Sequence, residues 1–255
     1  MSPKVHQTKD GSSTLYSEKF EQFYHNPNGA ASESLYVFFE KSGLLRYLKD
    51  ASSLTVLEVG FGTGINFILM VDFLKKKNIQ IPVKYYSVEA YPINVETANS
   101  ISLKEHLFEP ALNDLLPFIF NDLHTGMNVL RPVDGLDVEL HLFVGTFNEF
   151  KVNDCVADYI FHDPFSPDVN EELWNDKTFL KLAEYSHSNT VLSTYCAASK
   201  ARAAMCVAGW NVAKTQGALG KREMTIASMS KENISQFKSV NEKRLADRYI
   251  KGDFN

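Results

Sequence analysis

The feature that most constrains this chain is the run Leu57-Glu58-Val59-Gly60-Phe61-Gly62-Thr63-Gly64, in which three alternate glycines close an apolar segment. Glycines at this density take a chain through a tight turn and leave backbone bare enough for a ligand to approach. An apolar strand running into such a turn and then a helix is the opening unit of an α/β cofactor-binding sheet. The spacing narrows the cofactor. The glycines stand at i, i+2 and i+4, whereas a dinucleotide fingerprint wants i, i+2 and i+5, and that last position is Ile65. An isoleucine there obstructs the close helix–strand packing that the third dinucleotide glycine permits. A dinucleotide site and a plain structural turn nevertheless stay open at this point.

The rest of the chain supports an α/β sheet. Apolar runs at Leu54–Val59, Val83–Val88, Val138–Val144, Tyr159–His162, Thr190–Tyr195, Trp210–Val212 and Met224–Met229 alternate with helix-length segments. The helical segments are Gly64–Lys77, Pro92–Ser100, Glu171–Tyr185 and Ser199–Ala208. This alternation predicts a doubly wound, mostly parallel seven-stranded sheet with helices on both faces. Pro92 suits a first helical turn, and Asn170 is placed to cap the helix after it. Residues 1–50 form an N-terminal extension, with Asp10-Gly11 marking a hairpin and a Tyr/Phe-rich helical stretch over Ser32–Leu48. Residues 51–230 make the main domain, with a helical insertion at about 102–137, and 231–255 read as a charged C-terminal tail.

Composition excludes several classes. At 255 residues and 44% hydrophobic the chain buries a real core. Cys155, Cys196 and Cys206 form no C-x-x-C pair, and their odd count without a framework argues for a reducing cytoplasm. Residues 1–13 show no charged-then-apolar leader, and no apolar run approaches the roughly 20 residues that cross a bilayer. No membrane partner is expected, and no His/Cys/Asp spacing suggests a metal. The net charge of −5 argues weakly against nucleic acid, yet residues 199–255 hold 11 Lys and Arg against 5 Asp and Glu. That basic quarter is either a local phosphate-facing surface or a solvated helix face.

The chemistry is carried by residues at the ends of successive strands. Glu58-x-Gly60-x-Gly62-x-Gly64 resembles the pattern of S-adenosylmethionine (SAM) methyltransferases. The glycines would bring backbone amides and a helix N-terminus to the ligand, and Glu58 would reach the methionine amine or a loop amide. Glu89 ends the second strand, where an acid can accept both ribose hydroxyls. Thr146 follows the third strand at a station that usually supplies an acid for the adenine amino group, so Asn148 or Glu149 could take over. Asp163 ends the fourth strand in Phe161-His162-Asp163-Pro164-Phe165-Ser166-Pro167, which resembles the D/N-P-P-F/Y signature of enzymes that methylate amino nitrogens. A protonated amine cannot attack a methyl group. A carboxylate that accepts its proton, beside a rigid proline and an apolar ring, frees and orients the lone pair. The alternative is a turn with a capping Asp, and His162 reads as a core histidine.

Four ordered motifs carry a closer resemblance. Tyr24-His25-x3-Gly29-Ala30-x2-Glu33-Ser34, then Glu58 through Asn66, then Asp163-x-Phe165-x-Pro167 with Trp174, and finally Gly220-Lys221-Arg222-Glu223-Met224 are similar to the methyltransferase half of the bifunctional enzymes of tRNA 5-methylaminomethyl-2-thiouridine biosynthesis, and to its stand-alone form. The resemblance implies the class I Rossmann-like fold and SAM-dependent methylation of a 5-aminomethyl group on wobble uridine. By matching motif it implies Asp163 as the catalytic acid or base, with Glu33, Glu58, Gly60, Gly62, Gly64, Asn66, Glu89 and Thr146 at the cofactor. Pro164, Phe165, Lys221 and Arg222 would meet the tRNA substrate. Three residues depart from the family: Thr146 for an acid, Pro164 for Gly or Ala, and Leu219 for Phe. Only 26 residues follow Met229, too few for a flavin domain, so a separate FAD-dependent oxidase is expected to act upstream. Two other readings stay open: an N-methyltransferase of a small-molecule or peptidyl amine, and a catalytically inactive SAM-binding protein.

Overall fold

The protein is described by a computed structural model that covers residues 3–254. It begins with a small antiparallel sheet of β1 (Lys4–Gln7), β2 (Ser13–Ser17) and β3 (Gln22–Phe23). Asp10 builds the turn between β1 and β2, where one carboxylate oxygen accepts from the Thr8 and Ser12 hydroxyls, both at 2.6 Å. Its other oxygen accepts from the Ser32 amide at 3.1 Å, which ties the hairpin to α1 (Ala30–Ser34). The helical stretch then runs through a wider π-type turn over Leu35–Glu40 and stops at Gly43, whose φ of +85° ends one helix before α2 (Leu44–Tyr47) begins.

The main body follows as β4 (Leu54–Val59), α3 (Ile65–Lys77), β5 (Val83–Glu89), α4 (Val95–Asn99), α5 (Leu115–Phe120), β6 (Gly126–Leu130), β7 (Val138–Val144), β8 (Ala157–His162), α6 (Asp176–Glu184), β9 (Ser186–Thr194), α7 (Ser199–Val207), β10 (Asn211–Thr215), β11 (Met224–Ser228), β12 (Lys238–Ser239) and α8 (Glu242–Ile250). Their sheet order is β12-β10-β11-β9-β8-β4-β5-β7-β6. Five central strands are parallel, and β6, β11, β10 and β12 pair antiparallel at the two flanks. All seven expected strands are present, and β6 and β12 extend the sheet to nine. The segment read as a helical insertion therefore also contributes an edge strand.

Side chains alternate across β4. Leu54 and Val56 pack with α3 and the N-terminal helices, whereas Leu57 and Val59 pack with Trp174, Phe179, Met205 and Trp210. Two apolar layers thus cover the two faces of the sheet. Two helix starts differ from expectation. Asn94 caps α4, accepting from the Thr97 amide at 2.9 Å, so Pro92 lies before the helix. Asn175 caps α6, accepting from Thr178, while Asn170 only precedes a short 3₁₀ turn. In both cases the residue whose side-chain oxygen accepts from a first-turn amide decides the boundary. After β4 the chain builds β5 on one side and later β8 on the other, so the order reverses between β4 and β8. Ligands of open α/β sheets bind outside the carboxyl ends of strands at such a switch point.

Candidate active site

The strand ends are tied together by backbone. Gly60 N–H donates to Val88 O at 3.0 Å, Asp163 N–H to Val59 O at 2.9 Å, and Gly145 N–H to Glu89 O at 3.0 Å. Above them opens a cleft at the carboxyl ends of the strands, where ligands of such sheets bind. Its walls include Gly60, Gly62, Glu89, Tyr91, Gly145, Thr146, Phe147, Asp163, Pro164 and Phe165. Gly60 has φ +92°, and a Cβ placed on it would lie 2.7 Å from the Asp163 carbonyl oxygen. Glycine is required there by the close approach of the 163–164 backbone.

Glu89 is held by two amides: Gly62 N–H donates to one oxygen and Tyr91 N–H to the other, each at 2.8 Å. Each oxygen keeps a lone pair for a further donor. Burial raises the Glu89 carboxyl above its usual range. A fixed carboxylate with spare acceptor sites, beside bare glycine backbone, fits the ribose end of a SAM molecule. Gly64 stands behind the cleft wall and opens α3, donating its amide to Phe61 O at 2.8 Å. Thr146 is exposed. Its hydroxyl and amide both donate to one Glu149 oxygen, at 2.6 and 2.9 Å. The carboxylate missing at 146 is thus supplied to the same loop three residues later, and the Thr146 bonds hold Glu149 below the usual carboxylate range.

The turn carrying Asp163 is pinned by ring donors. Tyr195 O–H donates to Pro164 O at 2.8 Å and Trp174 Nε1–H to Phe165 O at 2.7 Å. The Phe165 ring leans on Phe20 and Tyr24, with centroids 4.9 and 5.0 Å away. Held at these two carbonyls and fixed in φ at Pro164, the turn gives the Asp163 carboxyl little freedom.

Glu58 and Asn66 sit beneath the cleft rather than on its wall. Both are almost fully buried. Asn66 Nδ2 donates to Glu58 Oε1 at 2.9 Å and to Asp163 Oδ2 at 3.1 Å, and Ser87 Oγ–H donates to Glu58 Oε2 at 2.8 Å. Burial pushes Glu58 up to about 8. Burial and the neighbouring Glu58 and Glu33 hold Asp163 well above the usual carboxylate range.

A second cleft opens on the other side of Asp163, with Glu33, Tyr195, Leu219, Gly220 and Lys221 among its walls. Tyr24, His25, Asp163 and Phe165 line both clefts, and Asp163 is the one carboxyl group common to their walls. Glu33 belongs to this second cleft. It accepts from Lys221 Nζ at 2.6 Å and from the Asn26 amide at 3.0 Å. Lys221 and Arg222 are both exposed, and Lys221 is engaged by its ion pair with Glu33 whereas Arg222 is in no ion pair among the described residues. Tyr24 and His25 carried no assigned role in the sequence reading, although the Tyr-His pair after the hairpin was its visible signal. His25 Nε2 is bonded to Thr63 Oγ1 at 2.9 Å, and burial lowers its imidazole to about 4, which keeps it neutral. Among the described residues no group of three or more His, Cys, Asp or Glu could hold a metal ion, and no helix is long and apolar enough to cross a membrane.

Residues 109–230 match the family described as S-adenosyl-L-methionine-dependent methyltransferase. The tRNA 5-methylaminomethyl-2-thiouridine biosynthesis bifunctional protein MnmC of Leptospira interrogans is 30% identical over 223 residues, which is 85% of this chain and 34% of that protein. The protein of the same name from Delftia acidovorans is 30% identical over 227 residues, 87% of this chain and 34% of the relative. The chain spans about a third of the length of these relatives. The crystal structure of MNMC2 from Aquifex aeolicus superposes with a TM-score of 0.78 at 24% identity, covering 98% of this chain and 76% of that one. The chain is a homologue of the methyltransferase domain of the MnmC proteins, on the fold of the class I S-adenosyl-L-methionine-dependent methyltransferases.

Proposed function

We propose that this protein N-methylates the 5-aminomethyl group of the wobble uridine, or 2-thiouridine, of tRNA, with SAM as methyl donor. The observation that carries the reading is the position of Asp163 on the wall shared by two clefts. One cleft has the glycine turn and Glu89, as a cofactor site would, and Lys221 lines the other, with Arg222 next to it in the chain. Bound SAM supplies a methyl carbon on a sulfonium sulfur, which leaves as a thioether when the nitrogen takes the methyl. The chain's own residues prepare that nitrogen. Gly60, Gly62 and Glu89 hold the cofactor, with Thr146 and its anchored Glu149 at the adenine end.

Asp163 accepts a proton from the substrate ammonium, and its raised proton affinity suits it to that exchange. The incoming cation supplies the counter-charge that the buried carboxylate lacks. Pro164 and Phe165 exclude water from the amine, and Arg222 meets RNA phosphate. A cytoplasmic setting and a separate flavin-dependent oxidase that releases the free aminomethyl group belong to the same proposal.

One observation favours a small-amine substrate instead: Lys221 is engaged by Glu33 rather than free for phosphate. The two are separated by incubating the protein with methyl-labelled SAM and tRNA carrying 5-aminomethyluridine. Label recovered as 5-methylaminomethyluridine, with a steep loss on adding salt, is the expected result. Intact SAM binding without label in any RNA would refute it.

A further inference from the structure

The site contains a carboxyl group that lines neither of the two clefts. Glu58 is 1% exposed, and its two oxygens are occupied by Asn66 and Ser87. The register explains why it lies so near Asp163. Glu58 pairs across with Phe161, so the next residue of β8's line on the same face is Asp163. Both acids therefore face α3. Asn66 is the second residue of that helix, and its Nδ2 reaches both. The amide has two hydrogens and each is taken by a different carboxyl. Turned the other way, its carbonyl oxygen would be set against both acids. The oxygen itself, Oδ1, is buried without a hydrogen-bond partner among the described residues. An unsatisfied buried oxygen is costly, which indicates that the amide is held in place by its nitrogen.

We propose that Asn66 is a positioning residue, whose amide braces the Asp163 carboxyl against the buried Glu58 carboxyl and makes the charge on one depend on the charge on the other. The inference rests on the amine-methylation reading only for its consequence in turnover. Beyond Asn66, the groups facing Asp163 are Glu58 on β4, Tyr85 on β5, Glu33 on α1, Tyr195 after β9 and Lys221 before β11, and Tyr24 and the neutral His25 share its cleft walls. Lys221 is the cation among them, and it is already paired with Glu33. The bridging donor therefore stabilises ionised Asp163, and an ionised Glu58 opposes it. The two partners act with opposite sign.

This sign difference gives the test. In the protein without substrate, labelled with ¹³C at Asp and Glu carboxyl carbons, NMR follows the Asp163 titration, assigned by its disappearance in Asp163→Asn. Asn66→Leu keeps the side-chain size and removes the donor, and it should move the Asp163 midpoint upward by about one pH unit. Glu58→Gln removes the neighbouring charge while still accepting from Asn66, and it should move the midpoint downward by a similar amount. The rising limb of the turnover-against-pH curve should follow in the same two directions. Should Asn66→Leu not fold, Asn66→Ala, which also removes the donor, takes its place with the same expected upward movement. An Asp163 midpoint that stays put in both variants, or moves the same way in both, overturns the proposal. Midpoints that move as stated in a protein unable to methylate tRNA would leave the brace standing and refute the functional reading.

Discussion

Gly60→Ala is expected to damage both stability and turnover, through one contact whose size can be worked out. The new Cβ would lie 2.7 Å from the Asp163 carbonyl oxygen, 3.0 Å from its carbon and 3.2 Å from Pro164 Cα. All three atoms are backbone, so no side-chain rotation relieves them. Restoring an ordinary contact requires the 163–164 segment to move by about 0.5–1 Å. Alanine at φ +92° adds a conformational cost of about 1–2 kcal/mol.

Gly209 provides a matched control. Its φ is +88°, yet nothing lies within 4 Å of a Cβ placed on it, so Gly209→Ala carries the conformational cost without the clash. For a domain of this size each kcal/mol lowers Tm by about 2–4 °C. Gly209→Ala should therefore lose about 2–8 °C and Gly60→Ala about twice that, read by differential scanning calorimetry. A misplaced reacting group costs up to about 10²-fold in rate, so Gly60→Ala should lose roughly 10- to 100-fold in kcat while Gly209→Ala keeps wild-type turnover. Equal Tm losses with unchanged kcat in Gly60→Ala would refute the claim that this glycine sets the position of Asp163.

Further outcomes follow from other parts of the structure. Arg222→Ala should lower the slope of log KM for tRNA against log salt by about one, whereas Lys221→Met should leave that slope unchanged and lower stability by about 1–3 kcal/mol, because Glu33 loses its counter-ion. Burial depresses His162 to about 3, so its neutral form stabilises the fold above the ordinary histidine range, and that contribution is lost as pH falls from about 6.5 toward 3. The Tm of His162→Phe, measured against wild type, should therefore rise progressively between pH 7 and pH 4. A pH-independent difference would show that His162 does not titrate on unfolding.

The parts of the site legible in sequence were those written locally. Gly60, Glu89 and Asp163 each close a buried strand, and strand ends announce themselves by an apolar run followed by a turn. What stayed hidden depends on distant partners. Glu58 read as a cofactor contact because it stands one residue before the turn, yet its side chain points at α3 and is closed off by Asn66 and Ser87. At Thr146 the sequence left Asn148 or Glu149 as substitutes for the absent acid, and Glu149 is the one that accepts from the Thr146 hydroxyl. Lys221 read as a residue that meets the tRNA, and its partner Glu33 lies 188 residues away, beyond the reach of any local pattern. The edge strand β6 is short and half-exposed, so it carries no clear two-residue period. Strand β12 has only two residues, and α8 has no fully buried residue to mark its inner face.

The central claim is that Asp163, on the wall between two clefts, takes the proton from the amine. Single-turnover methyl transfer to tRNA carrying 5-aminomethyluridine, compared between wild type and Asp163→Asn at saturating SAM with SAM affinity measured in parallel by calorimetry, tests it most directly. The account predicts a loss of about 10²- to 10⁴-fold in the transfer rate with SAM affinity nearly unchanged. Transfer at the wild-type rate by Asp163→Asn would contradict it.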